Sequence, residues 1–509
     1  MRLKELCLAA ALSCPVGEEE REIETIVTDS RDLAKNCMFI CIRGLHTDGH
    51  AYIGEAIRAG AACIITDSQY GGEADAGRTL LLRATDTRCA CAKLFDAWYG
   101  YPSRRLRFIG VTGTNGKTSV THMLKSIFEA ALCRCGLVGT VGCESAGRFL
   151  DSTPHHARLA NMTTPDPEEL YRILREMADD GVEYVLMEVT SHALALHKLE
   201  PIEFEAAIFT NLTPEHLDFH GSMEAYAKAK ATLLAKSRLA ILNADSPYVG
   251  QMRAACKGRA VTCSVKGNAD YTAEGVSVGE GGVSYRLSSG SSTLRLSCPI
   301  AGDFTVVNSM QAAICALELE VGAAAIKVGL SSLAGIRGRM ERVRLGLDAD
   351  FTVLIDYAHT PDALENLLRT VKRLRKPGQR TVLLFGCGGD RDKSKRKTMG
   401  AIASAYADVI VLTSDNSRSE DPQAIINDIL TGIDPQTLCY VIPNRREAIT
   451  YAVQTAKKGD LLLLAGKGHE EYEITKEGRK PFREKEIVRE AFALRNRTDH
   501  NIDSTETGI

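Results

Sequence analysis

The stretch LRFIGVTGTNGKTSVTHML, residues 106–124, decides the fold of this chain. An apolar run that ends at Val111 leads through the glycine-rich segment GTNGKTS into a helical pattern. Such a strand, turn and helix form a cradle for a triphosphate, because glycine lets backbone N–H groups approach phosphate oxygens and the helix N-terminus adds partial positive charge. Lys117 can reach the β- and γ-phosphates, and the Thr118 hydroxyl can bind Mg²⁺. The sequence therefore predicts an ATP-binding loop made of Gly113, Thr114, Asn115, Gly116, Lys117, Thr118 and Ser119.

The helix after the loop is supported by an apolar stripe with helical spacing. Its members are Val120, Met123, Leu124, Ile127, Phe128 and Ala131. A chance surface turn rich in Gly and Asn is the alternative interpretation, but the strand, the loop, the Lys–Thr pair and the helix all agree. The loop is shorter than the common nucleotide-binding spacing, because the glycine stands at position 113 and position 111 is Val.

Length and composition are those of an ordinary globular protein with several domains. The 509 residues suffice for about three domains, and a net charge of −3 gives no sign of nucleic-acid binding. The 16 cysteines include no CxxC pair and lie mostly in apolar runs, which predicts reduced, buried thiols. No apolar run approaches the ~18 residues of a membrane span, and Leu6–Leu12 is typical of an amphipathic helix rather than a signal peptide. We expect a cytoplasmic protein that acts as a monomer.

Three α/β blocks and a short tail follow from the alternation of strand and helix patterns. Residues 1–105 alternate short strands with helices and end in a linker-like YPSRR segment. Residues 106–337 contain the loop, buried strands and a Gly/Ser-rich stretch, 270–300, that predicts an antiparallel insertion. Residues 338–495 repeat a strict strand–helix rhythm, and residues 496–509 form a polar tail that we expect to fray. The predicted fold is α/β with three domains: an N-terminal α/β domain, a central P-loop-type parallel sheet with a small antiparallel insertion, and a C-terminal Rossmann-like parallel sheet.

Polar or glycine-rich loops follow four of the strands predicted in the last block. They are DYAH at 356–359, GCGGDRD at 386–392, DNSR at 415–418 and GKGHE at 466–470. Ligands of parallel sheets bind beyond the carboxyl ends of the strands. The block is therefore predicted to carry a second ligand site, separate from the ATP-binding loop, with ordinary solvated turns as the alternative.

Glu188 and His216 are candidate metal ligands of the central block. Glu188 ends a predicted strand that starts at Tyr184, where a carboxylate facing a phosphate loop is the usual partner of Mg²⁺ on ATP. A helix-capping role is the alternative. His216 lies in a loop after another predicted strand and is either a metal ligand or a structural histidine.

Lys230 is the third candidate, because it lies within an apolar arc of a predicted helix. Tyr226, Leu233 and Leu234 define that arc, whereas Lys228 lies on the opposite face. A lysine in an apolar stripe either extends its amine to solvent or loses its charge by desolvation. A neutral amine near two metal ions can add CO₂ and become a carbamate, which is a metal ligand.

These features together resemble the Mur ligase family, whose members form amide bonds with ATP. The shortened loop, Glu188 and the run TPEHLDFHGSMEAYAKAK, residues 213–230, carry the resemblance. It implies that Thr118 and Glu188 hold a Mg²⁺ ion on ATP, and that Glu188, His216 and carbamylated Lys230 hold a second Mg²⁺ ion. Two such ions offset the repulsion between the γ-phosphate and an attacking carboxylate. The implied catalytic residues are Lys117, Glu188, His216 and Lys230.

The resemblance extends to motifs for a UDP-muramoyl substrate and for the nucleotide. TDSR, residues 28–31, and GLHTDGHAY, residues 44–52, resemble the uridine-nucleotide pocket, and EVTSH, residues 188–192, resembles a further substrate motif. The implied UDP-substrate contacts are Ser30, Arg31, Thr163, Thr164, Ser191 and Lys198. The implied further ATP contacts are Asn308, Arg339 and Asp356.

The chain departs from the family pattern at several of these positions. Met162 stands where the family often has Asn, and Asn161 lies one place earlier. Thr190 stands where Ser is common. Lys198 stands where Arg is common, which keeps the charge and removes the bidentate fork.

The DNSR segment resembles the DNPR motif of family members that add meso-diaminopimelate, whereas lysine-adding members tend to lack its Arg. Meso-diaminopimelate carries an extra carboxylate at its far end, which Arg418 can hold bidentately. The implied amino-acid contacts are Arg391, Asp415, Asn416, Ser417, Arg418, Gly466 and Glu470, of which Glu470 suits an ammonium group. Ser417 replaces the family's Pro and so removes a fixed φ. A plain surface charge is the alternative for Arg418.

The reaction implied by the resemblance joins three substrates: ATP, a UDP-muramoyl dipeptide and meso-diaminopimelate. The D-Glu γ-carboxylate attacks the γ-phosphate, and the amine then displaces phosphate from the acyl phosphate. The last block must close over the central one to bring the reacting atoms together, and we predict a hinge near Gly335–Arg339.

Other interpretations remain open from the sequence. A lysine-adding member of the family, or a folate polyglutamylating relative, would share the ATP site. A P-loop switch or motor is disfavoured, because the chain has no NKxD motif and the first block and the polar loops would have no role. An inactive scaffold is disfavoured because the loop, Glu188, His216 and Lys230 are all present.

Overall fold

The computed structural model describes the backbone of residues 1–44, 47–67, 77–150, 162–346 and 349–506, with side chains up to position 496. The sequence motif at 44–52 is therefore described except for Leu45 and His46, and Asn161 also lies outside the described residues. Three α/β domains follow one another along the chain, and each is built on its own sheet.

The N-terminal domain is a four-stranded parallel sheet in the order β1-β2-β3-β4 with helices against it. Its elements are α1 (Leu3–Ala10), β1 (Thr25–Val27), β2 (Cys37–Ile40), α2 (Ile53–Arg58), β3 (Cys63–Asp67), β4 (Leu80–Ala84) and α3 (Thr87–Trp98). The predicted amphipathic helix is α1, which begins three residues before Leu6. The YPSRR segment forms a short 3-10 helix, Pro102–Arg104, in which the Ser103 hydroxyl donates to Asp96 at 2.7 Å.

The central domain carries a sheet of 11 strands in the order β15-β14-β13-β12-β11-β10-β5-β9-β6-β7-β8. Its strands are β5 (Arg107–Thr112), β6 (Cys135–Gly139), β7 (Gly142–Ser145), β8 (Arg148–Phe149), β9 (Tyr184–Glu188), β10 (Phe204–Phe209), β11 (Ser237–Asn243), β12 (Arg259–Ser264), β13 (Tyr271–Gly279), β14 (Gly282–Ser289) and β15 (Ser292–Cys298). Its helices are α4 (Lys117–Ala130), α5 (Pro167–Asp179), α6 (Ser191–Ala195), α7 (Leu217–His220), α8 (Met223–Ala235), α9 (Val249–Ala255), α10 (Asp303–Glu318) and α11 (Ala323–Ser331). The middle strands are parallel, and β13, β14 and β15 pair antiparallel, which confirms the predicted insertion. The insertion is continuous with the main sheet, because β13 pairs with β12.

The C-terminal domain is a six-stranded sheet in the order β16-β17-β21-β18-β19-β20, parallel except for β16. Its strands are β16 (Glu341–Arg342), β17 (Thr352–Asp356), β18 (Thr381–Phe385), β19 (Val409–Leu412), β20 (Leu438–Val441) and β21 (Leu461–Ala465), followed by a hairpin of β22 (Tyr472–Thr475) and β23 (Gly478–Pro481). Its helices are α12 (Pro361–Leu374), α13 (Ser394–Tyr406), α14 (Pro422–Leu430), α15 (Arg445–Gln454) and α16 (Glu484–Glu506). The last helix continues to Glu506, so most of the segment predicted to fray has a helical backbone.

Apolar side chains cover both faces of the two larger sheets. The predicted stripe of α4 packs against β5 and β9, and Ala131, at the C-terminal end of that helix, is its one member that is only half-buried. One apolar cluster runs from Leu6 and Phe95 of the N-terminal domain to Phe108 and Phe204 of the central domain. This shared core fixes the position of the first domain against the second.

The described residues also test two composition-based predictions. All 16 cysteines are free thiols, as predicted. Among the described residues, no helix is long and apolar enough to cross a membrane.

Candidate active site

The phosphate loop is held in shape by its own lysine and by the neighbouring loop. Lys117 Nζ donates to the carbonyl oxygens of Gly113 at 3.0 Å and Thr114 at 2.8 Å. Gly116 has φ of +90°, and a Cβ there would lie 2.6 Å from Asn308 Oδ1, so only glycine fits. In the described part of the chain, the amides of Lys117 and Thr118 have no hydrogen-bond partner. They begin α4, which leaves free N–H groups for an anion.

Glu188 is the last residue of β9, and its buried carboxylate lies directly beside the loop. It accepts hydrogen bonds from the hydroxyls of Thr118 at 3.0 Å and Thr140 at 2.8 Å, and from the Thr140 amide at 2.9 Å. A Cβ on Gly139 would lie 2.3 Å from Glu188 Oε1, so the glycine makes room for this carboxylate. Glu188 therefore faces the Thr118 hydroxyl, and the helix-capping alternative is wrong.

Lys230 lies in the core behind the loop. Its side chain is 1% exposed, and Nζ donates to the carbonyl oxygen of Gly113 at 2.8 Å. The amine also lies 4.6 Å from the centre of the Tyr226 ring. Burial, together with the charge of Lys117, lowers the pKa of Lys230 well below its ordinary value. Because its amine is buried, Lys230 does not extend it to solvent, whereas Lys228 on the opposite face of the helix is exposed, as predicted.

His216 lies next to a second histidine and shares Tyr226 as a neighbour with Lys230. Its ring is 4.7 Å from the ring of His192 and 6.3 Å from that of Tyr226. Partial burial, with the charges of Lys117 and Lys230, lowers the pKa of His216 to about 4. The ring is therefore neutral near pH 7, as a metal ligand requires.

Sequence reasoning missed Glu215, which links His216 to the C-terminal domain. Its carboxylate oxygens lie 3.6 Å from His216 Nε2 and 3.4 Å from His359 Nε2. Burial alone would raise the pKa of Glu215, but the hydrogen bond from His359 and the nearby charge of Lys117 hold it well below its ordinary value. Its place beside His216 in the TPEHLDFHG run was the available signal.

Arg339 and Asp356, the predicted ATP contacts on the C-terminal side, occupy different positions: one reaches the phosphate loop and the other supports the linker. Arg339 Nη2 donates to Thr118 Oγ1 at 2.9 Å and so reaches the phosphate loop. Asp356 accepts the amides of Met340 at 2.7 Å and Ala358 at 2.8 Å, so its carboxylate fixes the linker that carries Arg339. Burial raises the pKa of Asp356.

The predicted muramoyl contacts lie around Glu188, whereas the uridine contacts lie in the N-terminal domain. Thr163 Oγ1 is 3.0 Å from Thr140 Oγ1, and Thr164 Oγ1 donates to the carbonyl oxygen of Glu188 at 2.9 Å. Two further predicted contacts have side-chain partners: Ser191 Oγ lies 2.9 Å from His220 Nε2, and Lys198 pairs with Asp166 at 2.7 Å. In the N-terminal domain, Ser30 begins a 3-10 helix, and Arg31 pairs with Asp29. Met162 lies 3.3 Å from Lys198 Nζ through its sulfur, in the place of the family's Asn.

The strand-end loops of the C-terminal domain surround a cavity of about 870 Å³. The predicted amino-acid contacts that line it are Arg391, Asp415, Asn416, Arg418, Gly466 and Glu470. Ser417 is buried beneath it, and its carbonyl oxygen would be 2.0 Å from a Cβ on Gly389. Residues 213–216 of the central domain also line the cavity, so it opens onto the phosphate-loop side. No residue of the phosphate loop 113–119 lines the cavity, so the predicted second site stays distinct from the ATP-binding loop.

Two guanidinium groups in this cavity have only backbone partners. Arg418 Nη1 donates to the carbonyl oxygens of Gly389 at 2.7 Å and Asn416 at 3.3 Å, and Arg391 Nη1 donates to that of Asp390 at 3.1 Å. In the described chain no ion pair joins either group to a carboxylate. Burial and the nearby Arg391 lower the pKa of Arg418, and the charges of Asp415, Glu470 and Asp390 offset this shift only in part.

A buried network orders the other wall of the cavity. Asn416 Nδ2 donates to Glu470 at 2.8 Å, while Asn416 Oδ1 accepts from Lys467 Nζ at 2.9 Å and from the Ile474 amide at 2.9 Å. Burial and the nearby Asp415 raise the pKa of Glu470. Its carboxylate therefore favours a cationic partner.

Comparison with known proteins identifies the family of this chain. Profiles of Mur ligases match in order: the family catalytic domain at residues 22–99, the middle domain at 111–316 and the glutamate ligase domain at 338–468. The UDP-N-acetylmuramoyl-L-alanyl-D-glutamate–2,6-diaminopimelate ligase of Syntrophomonas wolfei is 39% identical over 497 residues, which are 96% of this chain and 99% of the relative. The ligase of the same name from Caldanaerobacter subterraneus is 41% identical over 482 residues, 94% of this chain and 96% of the relative.

The chain belongs to the Mur ligase family.

Solved structures agree with this assignment. A structure of a UDP-N-acetylmuramoyl-L-alanyl-D-glutamate–2,6-diaminopimelate ligase superposes with a TM-score of 0.65 at 29% identity, covering 97% of this chain and all of that one. MurF from Thermotoga maritima in complex with ADP superposes with a TM-score of 0.61 at 18% identity, covering 93% of this chain and 98% of that one, and shows the shared fold alone.

Two of the predicted metal ligands, Thr118 and Glu188, suit a Mg²⁺ ion as they stand. The Thr118 hydroxyl and the Glu188 carboxylate are hard oxygen ligands 3.0 Å apart at the phosphate loop. A second ion on Glu188 and His216 needs a further oxygen ligand. Among the described residues, the side chains of Asp86, Cys89 and His197 form a group whose ligand atoms all lie within 4.8 Å of one another. Within the same part of the chain, Glu188 and His216 do not belong to such a group of three. Lys230 can supply that oxygen only as a carbamate.

Proposed function

We propose that this Mur ligase adds meso-diaminopimelate to the D-Glu γ-carboxyl of UDP-N-acetylmuramoyl-L-Ala-D-Glu, with ATP converted to ADP and phosphate. The observation that carries the proposal is the cavity that joins residues 213–216, beside the phosphate loop, to the guanidinium of Arg418, which forms no ion pair with a carboxylate among the described residues. The names of the nearly full-length relatives support it.

The first step forms an acyl phosphate. Lys117 and the free amides at the start of α4 bind the phosphates, and Arg339 adds a second positive charge at Thr118. Mg²⁺ ions, held by Thr118 and Glu188 and by Glu188, His216 and carbamylated Lys230, would supply the charge that lets a carboxylate approach the γ-phosphate. The D-Glu oxygen bonds to the γ-phosphorus as the bond to ADP breaks.

The second step uses the C-terminal cavity. Arg418 and Arg391 bind the far carboxylate of meso-diaminopimelate, and Glu470 binds the ammonium group beside it. The other amine, in its neutral form, then attacks the acyl carbon: the C–N bond forms, the C–O bond to phosphate breaks, and the nitrogen gives up one proton to the departing phosphate. Holding the acyl phosphate and the amine in adjoining sites raises the rate through proximity.

Closure of the C-terminal domain about Gly335–Arg339 remains part of the proposal. In the structure Asn115 Nδ2 donates to Asp362 at 2.7 Å and His359 contacts Glu215, so the two domains already meet beside the loop. Solution scattering should show a smaller radius of gyration when nucleotide and UDP-dipeptide are bound. Unchanged profiles would contradict the hinge.

We also propose that one chain is active alone and that it works in the cytoplasm. The central and C-terminal domains of one chain together line the cavity, and ATP is available in that compartment. Light scattering on the active species tests the first point.

The decisive experiment supplies the purified protein with ATP, Mg²⁺, the UDP-muramoyl dipeptide and one amino acid at a time. We expect amide product and phosphate release with meso-diaminopimelate and little of either with L-lysine. Activity with lysine alone would reject the role of Arg418. Phosphate release that needs no dipeptide would instead indicate a nucleotide switch, and glutamate addition to a folate would indicate the folate-type relative.

A further inference from the structure

Three chain segments pack together between the phosphate loop and the amino-acid cavity, and Tyr357 is their centre. The Tyr357 amide donates to the carbonyl oxygen of Gly338 at 2.9 Å. The guanidinium carbon of Arg339 lies 4.7 Å from the centre of the Tyr357 ring. The ring of His469 lies 4.9 Å away. The ring thus contacts both the linker and the GKGHE loop.

Two glycines show how closely these segments approach. Gly338 has φ of +67°, and a Cβ there would lie 2.2 Å from the amide nitrogen of His469. Gly468 has φ of +55°, and a Cβ there would lie 2.7 Å from Tyr357 Cβ. Backbones that touch without intervening side chains cannot shift independently, because the interior is close-packed. Movement of one segment is therefore transmitted to the others.

The two ends of this packed group reach the two substrate sites. Arg339 donates to the Thr118 hydroxyl, at the phosphate loop. Glu470 follows His469 directly, lines the cavity and accepts from Asn416. A change at Thr118 therefore reaches Glu470 through the stacked groups of Arg339, Tyr357 and His469.

We propose that Tyr357 is a positioning residue that couples nucleotide binding at the phosphate loop to amino-acid binding in the C-terminal cavity. The inference rests on the proposed function, because it assumes that the cavity takes meso-diaminopimelate. Phosphates on the loop attract the Arg339 guanidinium, its stacked partner Tyr357 moves with it, and His469 and Glu470 follow. By linkage, each ligand then raises the affinity of the protein for the other by the same factor.

The coupling is measured on the full-length protein by calorimetry. The affinity for meso-diaminopimelate is determined with and without a non-hydrolysable ATP analogue and Mg²⁺. We expect the analogue to tighten binding by about 10-fold, within the usual range of coupling between sites. Tyr357→Phe, which keeps the ring, should retain that factor, and Tyr357→Leu should bring it close to one while each ligand still binds alone.

Two further variants keep the test decisive. His469→Leu removes the other ring of the stack and should also lower the coupling, and its Nδ1 has no hydrogen-bond partner to lose among the described residues. Tyr440→Leu, on β20 away from the stack, is the matched control and should leave the factor unchanged. Equal coupling in wild type, Tyr357→Leu and His469→Leu overturns the inference, as does a wild-type factor of one. Absence of any meso-diaminopimelate binding instead overturns the proposed function.

Discussion

The phosphate loop and the amino-acid cavity are built in opposite ways. The loop satisfies its own lysine, since Lys117 donates to two carbonyl oxygens within the same turn. Among the residues that the structure describes, Arg418 and Arg391 of the cavity have backbone hydrogen-bond partners only. The loop is one continuous segment, whereas the cavity is assembled from loops on two domains, from Thr213 to Arg479. Nucleotide binding thus depends on one backbone conformation, and amino-acid choice depends on charges that are available to a ligand.

The largest expected effect is that of Lys230→Ala. The buried amine lies behind the phosphate loop, and in the proposed mechanism its carbamate supplies an oxygen ligand to the second Mg²⁺ ion. Its loss should therefore lower kcat about 100- to 1,000-fold, as removal of a preorganised electrostatic group does. Steady-state rates with saturating substrates measure this. Short carboxylic acids should restore part of the rate, because they replace the carbamate oxygen.

The matched control for that variant is Lys228→Ala on the exposed face of the same helix. It should change the rate less than about 2-fold, since surface substitutions rarely matter. A Lys230→Ala enzyme with the wild-type rate would remove the carbamate from the site. Equal rescue of Lys117→Ala by the same acids would show that the rescue is not specific.

Arg418→Met tests the cavity side of the comparison. Loss of a charged bidentate contact costs about 1.5–3 kcal/mol, so the KM for meso-diaminopimelate should rise about 10- to 100-fold while the KM for ATP stays constant. The preference over L-lysine should fall by a similar factor. Arg446→Met, an exposed arginine that pairs with Glu490 on the surface, is the control. An unchanged preference would assign the specificity to another residue.

Gly116→Ala tests the loop side. The residue has φ of +90°, and the new Cβ would lie 2.6 Å from Asn308 Oδ1. Strain of about 1–3 kcal/mol is expected at such a position. The affinity for an ATP analogue should therefore fall at least about 5-fold, with meso-diaminopimelate affinity in the absence of nucleotide unaffected. Gly147→Ala, also at positive φ but with open space around it, is the control for backbone strain alone. Equal nucleotide affinity of Gly116→Ala and wild type would contradict the packing argument.

The two sites also differed in how far the sequence could predict them. GTNGKTS is a local signal, and the predicted strand and helix on either side of it are β5 and α4. The apolar arc around Lys230 is also read within one segment, but it left open whether the amine extends to solvent or is buried, and the structure shows it buried. Neither signal needed knowledge of distant residues.

Residues that act across segments were harder to find. Arg445, fully buried, donates to the carbonyl oxygens of Ser414 at 3.0 Å and Ala465 at 2.9 Å, and so joins the ends of two strands beneath the cavity. An arginine at the start of a helix carries no pattern that indicates such a contact. Thr140 beside Glu188 was missed likewise, because its partner is 48 residues away. Only the folded chain brings these groups together.

The smallest expected effect concerns the support of the cavity wall. Glu420 accepts from Arg396 at 3.0 Å and from the Asp390 amide at 2.7 Å, and so holds the loop that carries Arg391. The Arg396 hydrogen bonds lower the pKa of Glu420 from 4.5 to about 2. Because the folded pKa lies below the unfolded one, the stabilisation is present above about pH 4.5 and is lost as the pH falls towards 2. Glu420→Gln should therefore reduce the free energy of unfolding by about 1–2 kcal/mol at pH 7, after allowance for solvent screening.

Urea unfolding of wild type and Glu420→Gln from pH 7 to pH 2 separates this effect from general acid denaturation. The difference between the two proteins should shrink across that interval, since protonation gives the wild type the neutral side chain that the variant already has. Glu280→Gln, whose carboxylate is 64% exposed, should show almost no difference at any pH. A difference at pH 7 that persists to pH 2 would mean that Glu420 acts through packing rather than charge. In that case the wall of the cavity, like the phosphate loop, would depend on shape alone, and the contrast between the two sites would be confined to Arg418 and Arg391.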